Sequence, residues 1–392
     1  MFSEFSWWHV IYLLITTHIT IVTVTVYLHR GLAHRALTFS KPLEHFFRFW
    51  SWFTTGQNPK EWAAVHRKHH AFCEKEGDPH SPQLVGIWNV LFKGVMMYQK
   101  EARNPETIKR FGHMTPNDNL HNNFYAKYTW LGMMIYATLN IFLFGYHALW
   151  IFPIQILWIP FWAAGVINGV GHFVGYRNFN TTDSSTNIFP WGIIIGGEEL
   201  HNNHHAYATS AKLSFKWYEF DIGWGWIKMF EFFGLLSINK VTTLPKIEKN
   251  QEQFCLDTIL SNKSYVLKMF YKKTKDQVSN TIRTIKENNQ VLKSYSDKEL
   301  NFVFYHDKDS TIKLTENQQS LLLELLKNKI LSYIYQVKED LVSFWNNKTA
   351  NTQQIKEQLI NWVESVKEQS RENNTLKCLD AFVNNLIKLK SA

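Results

Sequence analysis

The chain has 392 residues, with 42 Lys and Arg, 33 Asp and Glu, 17 His and 3 Cys, and its formal net charge is +9. Its aromatic content of 16% excludes a disordered chain, and its widely separated cysteines exclude a disulfide framework, a zinc knuckle or an iron–sulfur cluster. Residues 1–244 contain 16 of the 17 histidines, whereas residues 245–392 contain 41 charged side chains. We therefore predict an apolar, histidine-rich domain over 1–244 and a polar, mildly basic tail over 245–392.

The first apolar run, Trp7–Leu28, has 22 residues without an Asp, Glu, Lys or Arg, which is long enough to cross a bilayer core. Trp7 and Trp8 at one end and Arg30 beyond the other suit the two membrane interfaces. No basic segment precedes the run and no small-residue cleavage site follows it. We therefore predict a membrane span and not a signal peptide.

The next segment, Pro42–Asn58, is rich in Phe and Trp but also carries Glu44, His45 and Arg48. This mixture predicts an amphipathic helix that lies in the membrane interface or re-enters it.

Two later apolar runs predict a transmembrane hairpin. Thr129–Tyr146 has 18 residues and His147–His172 has 26 without a charged side chain, and Gly145 suits a tight turn between them. The alternative is a large buried helical core, which three runs of this length disfavour. Trp217, Trp224 and Trp226, with the run Met229–Ile238, predict a further interfacial helix, and the tail has helical periodicity in places. The predicted fold class is an all-α membrane protein with three spans, interfacial helices, a cytoplasmic, histidine-rich cap and a polar helical tail.

Three histidine clusters lie beside these apolar runs. The first cluster is His29 and His34, the second is His66, His69 and His70, and the third is His201, His204 and His205. Residues three and four apart share a helical face, so the second and third clusters can each direct three imidazoles at one centre. His29 and His34 are five apart, about 140° around an ideal helix, so we expect the helix to end or bend at Gly31.

Eight imidazoles are too many for one four-coordinate zinc ion, and they predict two metal ions. All three clusters must then lie on one side of the membrane. Pro42–Asn58 therefore cannot cross it once, and we expect the N-terminus on the far side and the clusters on the basic, cytoplasmic side.

The pattern H-x4-H, H-x2-H-H, H-x2-H-H resembles the signature of the membrane fatty-acid desaturases, the di-iron acyl desaturase family. The resemblance covers about residues 7–240 and is greatest to bacterial aerobic desaturases that act on saturated acyl chains. Longer matching strings are Glu61-Trp62, Asp78-Pro79-His80, Gly171–Arg177 and Gly197–His201.

The resemblance implies a ninth histidine ligand. Stearoyl-type members have an N-x3-H segment at the end of the last membrane helix, where the Asn holds a metal-bound water, and Asn168 and His172 match it. The implied metal site therefore consists of the eight clustered histidines, His172, and Asn168 through a water.

The resemblance also implies the activity, an O2-dependent fatty acyl desaturase that uses two iron ions and introduces a cis double bond at the delta-9 position. Glu198 and Asp78 are candidates to orient histidine ligands, and Trp62 is a candidate for the wall of an apolar substrate tunnel. Exposed structural roles for the two acids, and interfacial anchoring for Trp62, remain open alternatives.

Two departures from the family pattern bear on the substrate. Animal members have four spans, with an extra one before the first cluster, and only one fits here. They also have a charged pair just before the second cluster, near the coenzyme A head group, where this chain has Ala64 and Val65. The acyl chain is therefore expected on either coenzyme A or a phospholipid.

The electrons are expected from another protein. The chain has no flavin, nicotinamide, haem-attachment or ferredoxin fingerprint, so we predict an external ferredoxin or rubredoxin with its reductase. Candidate contacts for an acidic donor are Lys60, Arg67, Lys68 and Lys75. We expect no nucleic-acid partner, and we expect the protein in a bacterial inner membrane with the metal site on the cytoplasmic side.

Two rival functions remain open. A membrane di-iron hydroxylase of alkyl, carotenoid or sterol substrates would share the metal site but insert oxygen. A metal transporter would place its ligands near the bilayer midplane, whereas these clusters lie at the ends of the apolar runs. The role of the tail and the oligomeric state stay unassigned.

Overall fold

The computed structural model describes residues 4–179, 181–242, 246–247, 258–259, 262–306, 313–346 and 352–390. The described chain is mostly helical, as predicted, and it divides into two compact units, residues 1–242 and residues 243–392. Short two-stranded sheets, which the sequence did not indicate, accompany the helices.

The first unit contains the three histidine clusters. Its α-helices are α1 (Trp7–Val22), α2 (Lys41–Thr55), α3 (Pro59–Phe72), α4 (Pro82–Val85), α5 (Ile87–Ala102), α6 (Pro105–Phe111), α7 (Thr129–Phe144), α8 (Ala148–Ile159), α9 (His201–Ala206) and α10 (Ile222–Phe232). Its π-helical segments are Thr23–Ala33, His121–Tyr125 and Pro160–Ile167, and its 3-10 segments are Gly145–His147 and Val170–His172.

The second unit has a hydrophobic core of its own, to which Phe270, Leu325, Ile334 and Phe382 contribute. Its helices are α11 (Lys263–Asn288), α12 (Gln290–Lys293), α13 (Asp297–Tyr305), α14 (Glu316–Leu325), α15 (Lys329–Asn346), α16 (Thr352–Glu372) and α17 (Lys377–Ile387), with a 3-10 turn at Asn374–Leu376.

Each sheet contains two short strands. In the first unit β1 (Leu37–Phe39) pairs antiparallel with β4 (Leu236–Ile238), and β2 (Trp191–Gly192) pairs parallel with β3 (Phe220–Asp221). In the second unit β5 (Lys246–Ile247) pairs antiparallel with β6 (Leu389–Lys390).

The predicted first span is one continuous helical segment. Ser6 and His9 form a capping box at the start of α1, and the helix continues without a break into the π-helical segment. The combined segment, Trp7–Ala33, has 27 residues and is long and apolar enough to cross a membrane. Its length thus agrees with the predicted span.

The second apolar segment, Thr129–His172, is also long and apolar enough to cross a membrane, and it reverses direction at its middle. Gly145 ends α7 with φ at 54°, a backbone region that favours glycine. The rings of Tyr136 and Phe152 are 5.9 Å apart, whereas a continuous helix would separate them by about 24 Å. The segment is therefore a helical hairpin, as expected, and its two crossings remain a prediction.

Helices α2 and α3 leave and rejoin the same end of the first helical segment. The Phe47 ring on α2 stacks on Tyr27 at 5.6 Å, and Thr54, further along α2, lies 3.3 Å from the Thr20 hydroxyl. Helix α3 then returns, so that the ring of His66 lies 4.5 Å from that of His29. This path agrees with the expectation that Pro42–Asn58 does not make a single crossing.

The further helix, predicted from Trp217, Trp224, Trp226 and the run Met229–Ile238, is present around the last two tryptophans but wrong at its end. Helix α10 contains Trp224 and Trp226 and ends at Phe232, and Gly234 then adopts a φ of 67°. This turn directs Leu236–Ile238 into β4, where its backbone pairs with β1. The apolar pattern of a short run cannot distinguish a helix from a strand. Here the pairing with a distant strand makes Leu236–Ile238 a strand.

Candidate metal centre

The nine predicted histidine ligands lie together in two groups. The five-histidine group is His29, His34, His66, His70 and His204, and the four-histidine group is His69, His172, His201 and His205. Within each group the potential ligand nitrogens all lie within 4.8 Å of one another.

The π-helical segment explains how the first cluster converges. The backbone N–H of His34 donates to the carbonyl of His29 at 3.1 Å, a hydrogen bond between residues five apart. Such bonds define a π-helix, and they place both side chains near one face. The expected end or bend at Gly31 is therefore wrong, since the helix continues through Ala33. Gly31 instead gives room to the Phe39 ring, which a Cβ would meet at 2.3 Å.

The second and third clusters each divide between the two groups. On α3, His66 and His70 are four residues apart and join the five-histidine group, whereas His69 joins the four-histidine group. His69 and His70 are neighbours, about 100° apart around the helix, so they cannot face one centre. The third cluster also divides, because His201 and His205 join the four-histidine group and His204 joins the five-histidine group. The expectation of one centre for each cluster is therefore wrong.

Ring nitrogens in these groups approach one another as metal ligands do. Donors about 2.1 Å from one metal and at right angles to each other would be about 3 Å apart. The Nε2 atoms of His34 and His66 are 2.7 Å apart, and those of His29 and His204 are 3.1 Å apart. In the four-histidine group, the Nε2 atoms of His172 and His201 are 3.0 Å apart.

The pair His69 and His172 is the clearest test of whether a metal fits. The Nδ1 of His69 faces Asp78 at 2.9 Å, and the Nδ1 of His172 faces Glu74 at 3.2 Å. A neutral imidazole that donates from Nδ1 has only a lone pair on Nε2. The two Nε2 atoms nevertheless lie 3.2 Å apart, and a shared cation is what would make this arrangement favourable.

Burial favours the neutral, metal-binding form of several of these imidazoles. Desolvation lowers the pKa of several histidines well below the ordinary value, namely those of His34, His66, His70, His201 and His204. A neutral imidazole is the form that binds a metal.

Four carboxylates face the Nδ1 atoms of four of these histidines. The two that the sequence suggested are Asp78, which contacts His69, and Glu198, which contacts His29 at 2.7 Å. Glu198 thus pairs with the first cluster and not with the nearby His201. Burial alone would raise the pKa of Asp78, but its interactions with His69 hold that pKa well below the ordinary value.

Sequence reasoning missed the other two carboxylates. Asp183 contacts the Nδ1 of His205 at 3.0 Å, and Glu74 contacts the Nδ1 of His172. The backbone N–H of Ser184 also donates to Glu74, at 2.7 Å, so one short loop fixes both carboxylates. The density of acidic residues after the second cluster was a sequence signal for Glu74 but not for Asp183.

Three further residues lie close to this centre, Asn168 in the chain and Trp62 and Cys73 in space. Asn168 is half-buried four residues before His172, and its side chain makes no hydrogen bond to the described residues. The Trp62 ring stacks on His66 at 5.1 Å. The sulfur of Cys73 lies 3.9 Å from His69, and burial raises the pKa of its thiol. Cys255 lies outside the described residues.

Two of the candidate contacts for an electron donor have other partners. The Arg67 guanidinium donates to the carbonyls of Leu32, Ala33, Phe111 and His113, at 2.6 to 2.9 Å. Lys68 binds Glu101 at 2.8 Å. Lys75 is exposed and Lys60 is half-buried.

Ala64 and Val65, which replace the family's charged pair, are fully buried in α3. They therefore present no side chain to a polar head group.

Comparison with known proteins places these features in a family context. The family model described as fatty acid desaturase matches residues 5–228. Delta-9 desaturase-like 3 protein of Arabidopsis thaliana is 32% identical over 238 residues, which cover 57% of this chain and 74% of the relative. Delta-9 acyl-lipid desaturase 1 of the same plant is 29% identical, over 55% of this chain and 69% of the relative. Acyl-CoA 5-desaturase AL21 of Anemone leveillei is 30% identical, over 59% and 70%.

Proposed function

The chain belongs to the fatty acid desaturase family and is an oxidoreductase, and from this premise we propose a specific reaction. The protein introduces a cis double bond at the delta-9 position of a saturated acyl chain, with two histidine-bound iron ions, O2 and two electrons from an external donor. The observation that carries this proposal is the convergence of nine buried or half-buried imidazoles into groups of five and four.

The histidines would hold the metals through Nε2, since Nδ1 of His29, His69, His172 and His205 faces a carboxylate. Iron bound there would supply the reduction of O2 and the removal of two hydrogens from adjacent methylenes. Asn168 would contribute through a water.

The chain's other residues hold the ligands and exclude bulk water. Each of the four carboxylates fixes one imidazole in the tautomer that leaves Nε2 free for a metal. His69, His172, His201 and His204 are at most 2% exposed. Trp62, stacked on His66, would form part of the wall that holds the acyl chain in register.

The carrier of the acyl chain is coenzyme A or a phospholipid. One similar protein is named an acyl-lipid desaturase and another an acyl-CoA desaturase. Ala64 and Val65 are buried and apolar, so they cannot bind the coenzyme A head group as a charged pair would. A test must therefore supply both carriers.

We place the protein in a bacterial inner membrane. The two long apolar segments are consistent with a membrane protein, and all three clusters would lie at its cytoplasmic side. A ferredoxin or rubredoxin with its reductase would deliver the electrons, with Lys60 and Lys75 as the remaining candidate contacts near the second cluster.

Product analysis tests the proposal. The chain is expressed in a bacterium without an aerobic desaturase, with and without air and with candidate donors, and derivatised lipids are analysed by gas chromatography–mass spectrometry. We expect a new delta-9 monoene that requires air and is lost in His69→Ala. His113→Ala, which removes an exposed imidazole outside both groups, should keep the product. A hydroxylated lipid in place of the monoene would contradict the proposal and support the hydroxylase.

A further inference from the structure

We infer that the two metal positions are electrostatically unequal: the four-histidine group holds its ion more tightly and favours its higher charge state. This inference rests on the proposed di-metal centre.

The carboxylates are distributed unevenly between the groups. Three of four histidines in the four-histidine group pair with an acid, as His69 with Asp78, His172 with Glu74 and His205 with Asp183. In the five-histidine group only His29 has such a partner, Glu198, among the described residues.

The nearby cations do not remove this difference. The Arg30 guanidinium, 1% exposed, lies 3.8 Å from Glu198, but it also donates to both carboxylate oxygens of Asp221 at 2.9 and 3.0 Å, so it offsets only part of the charge of Glu198. Near the other acids, Arg177 is exposed and binds the carbonyls of Thr181 and Asp183. Solvent screens an exposed charge far more than a buried one.

The acids beside the four-histidine group are held in place and shielded from water. The side chains of Asp78, Glu74 and Asp183 are 0%, 3% and 11% exposed. Backbone N–H groups of Glu74, Ser184 and Ser185 donate to Asp78, Glu74 and Asp183 respectively. Fixed negative charges in a buried site stabilise a bound cation, and a trivalent ion more than a divalent one.

The fifth imidazole should strengthen metal binding in the five-histidine group. It is one additional neutral ligand, whereas the four-histidine group has two additional anionic partners. Loss of one such partner typically costs about 10- to 100-fold in metal affinity. We therefore expect the acids to determine the order of affinity.

A chelator titration of purified, cobalt-loaded full-length protein tests the order. We expect two metals per chain, released in two steps. Asp183→Asn should weaken the tighter step by about 10- to 100-fold and leave the weaker step unchanged, whereas Glu198→Gln should affect only the weaker step. Glu74→Gln provides a second test of the tighter step if Asp183→Asn does not fold. Asp118→Asn, which alters an acid paired with Arg48 outside both groups, should change neither step.

Mössbauer spectra of partly reduced, 57Fe-loaded protein provide the second readout. The remaining ferric signal should change in Asp183→Asn and not in Glu198→Gln. The opposite assignment, or release of both metals in one step, would overturn the inference. Two metals per chain without a lipid product would refute only the proposed reaction, whereas fewer than two would refute the shared premise.

Discussion

At the scale of single residues, the carboxylate partners were the least predictable part of the site. Glu74 and His172 are 98 residues apart, and Asp183 and His205 are 22 apart. No helical or strand spacing relates such positions, so only the folded chain shows that they meet. Asp78 was predictable because it follows the second cluster by one short loop and contacts His69, nine residues before it.

Arg67 is predicted to be a positioning residue for the first cluster. Its guanidinium donates to the carbonyls of Leu32 and Ala33, just before His34, and also to two carbonyls after α6. A lysine has no planar fork and cannot satisfy all four. Arg67→Lys should lower the free energy of unfolding by about 2 to 4 kcal/mol and release metal from the five-histidine group. Thermal unfolding and metal content of purified protein measure both effects.

The neighbouring Lys68→Ala serves as the control. It breaks the pair with Glu101, in which both side chains are partly exposed, and such pairs contribute about 0 to 1 kcal/mol. If Arg67→Lys kept both stability and metal content, the positioning role would be wrong.

At the scale of elements, the four-residue spacings correctly grouped His66 with His70 and His201 with His205, but the three-residue spacings were misleading and the type of helix was not predicted. The first cluster converges through π-helical hydrogen bonds. A five-residue spacing in the sequence does not by itself predict a π-helix. Likewise, we expected His66, His69 and His70 to face one centre, although the 100° step between His69 and His70 divides them. The position of the two separate centres depends on helices that are distant in sequence.

Close packing of α5 against the segment Pro160–Ile167 should be essential to the four-histidine group. A Cβ on Gly94 would lie 2.3 Å from the carbonyl oxygen of Ala164, and this segment leads to His172. Gly94→Ala should therefore force the two elements apart, at a cost of about 1 to 3 kcal/mol. We expect a lower unfolding temperature and loss of metal from the four-histidine group.

Gly225→Ala is the matched control, because it also places alanine in a helix but has no atom within 4 Å of the new Cβ. Helix propensity alone should make it more stable, by about 1 kcal/mol. A Gly94→Ala protein as stable and metal-rich as Gly225→Ala would contradict the packing argument.

At the scale of the whole molecule, composition predicted a division near residue 244, and the contacts divide the chain after residue 242. Every predicted site residue precedes this division, and the family match ends at residue 228. We therefore predict that a chain shortened to residues 1–242 keeps its metal content and its lipid product. Metal analysis and lipid analysis beside the full-length chain measure this, and loss of the product at equal protein level would show that the second unit is required.

The overall plan followed from apolar run length and histidine spacing. The same signals could not give the short strands, because β1 and β4 lie almost 200 residues apart in the chain and pair through backbone groups alone. The nine histidines predicted as ligands come together in the structure, with His80 stacked on His69 beside them, and their binding of metal stays a prediction.

The most direct test of the central claim follows the fate of oxygen in a single turnover. Purified, iron-loaded and reduced protein is mixed with 18O2 and with a saturated acyl chain, supplied in parallel as stearoyl-CoA and as distearoyl phosphatidylcholine. Mass spectrometry of the acyl products then detects unsaturation and label. We predict an unlabelled delta-9 monoene from at least one carrier. An 18O-labelled hydroxylated acyl chain, without a monoene, would contradict the claim.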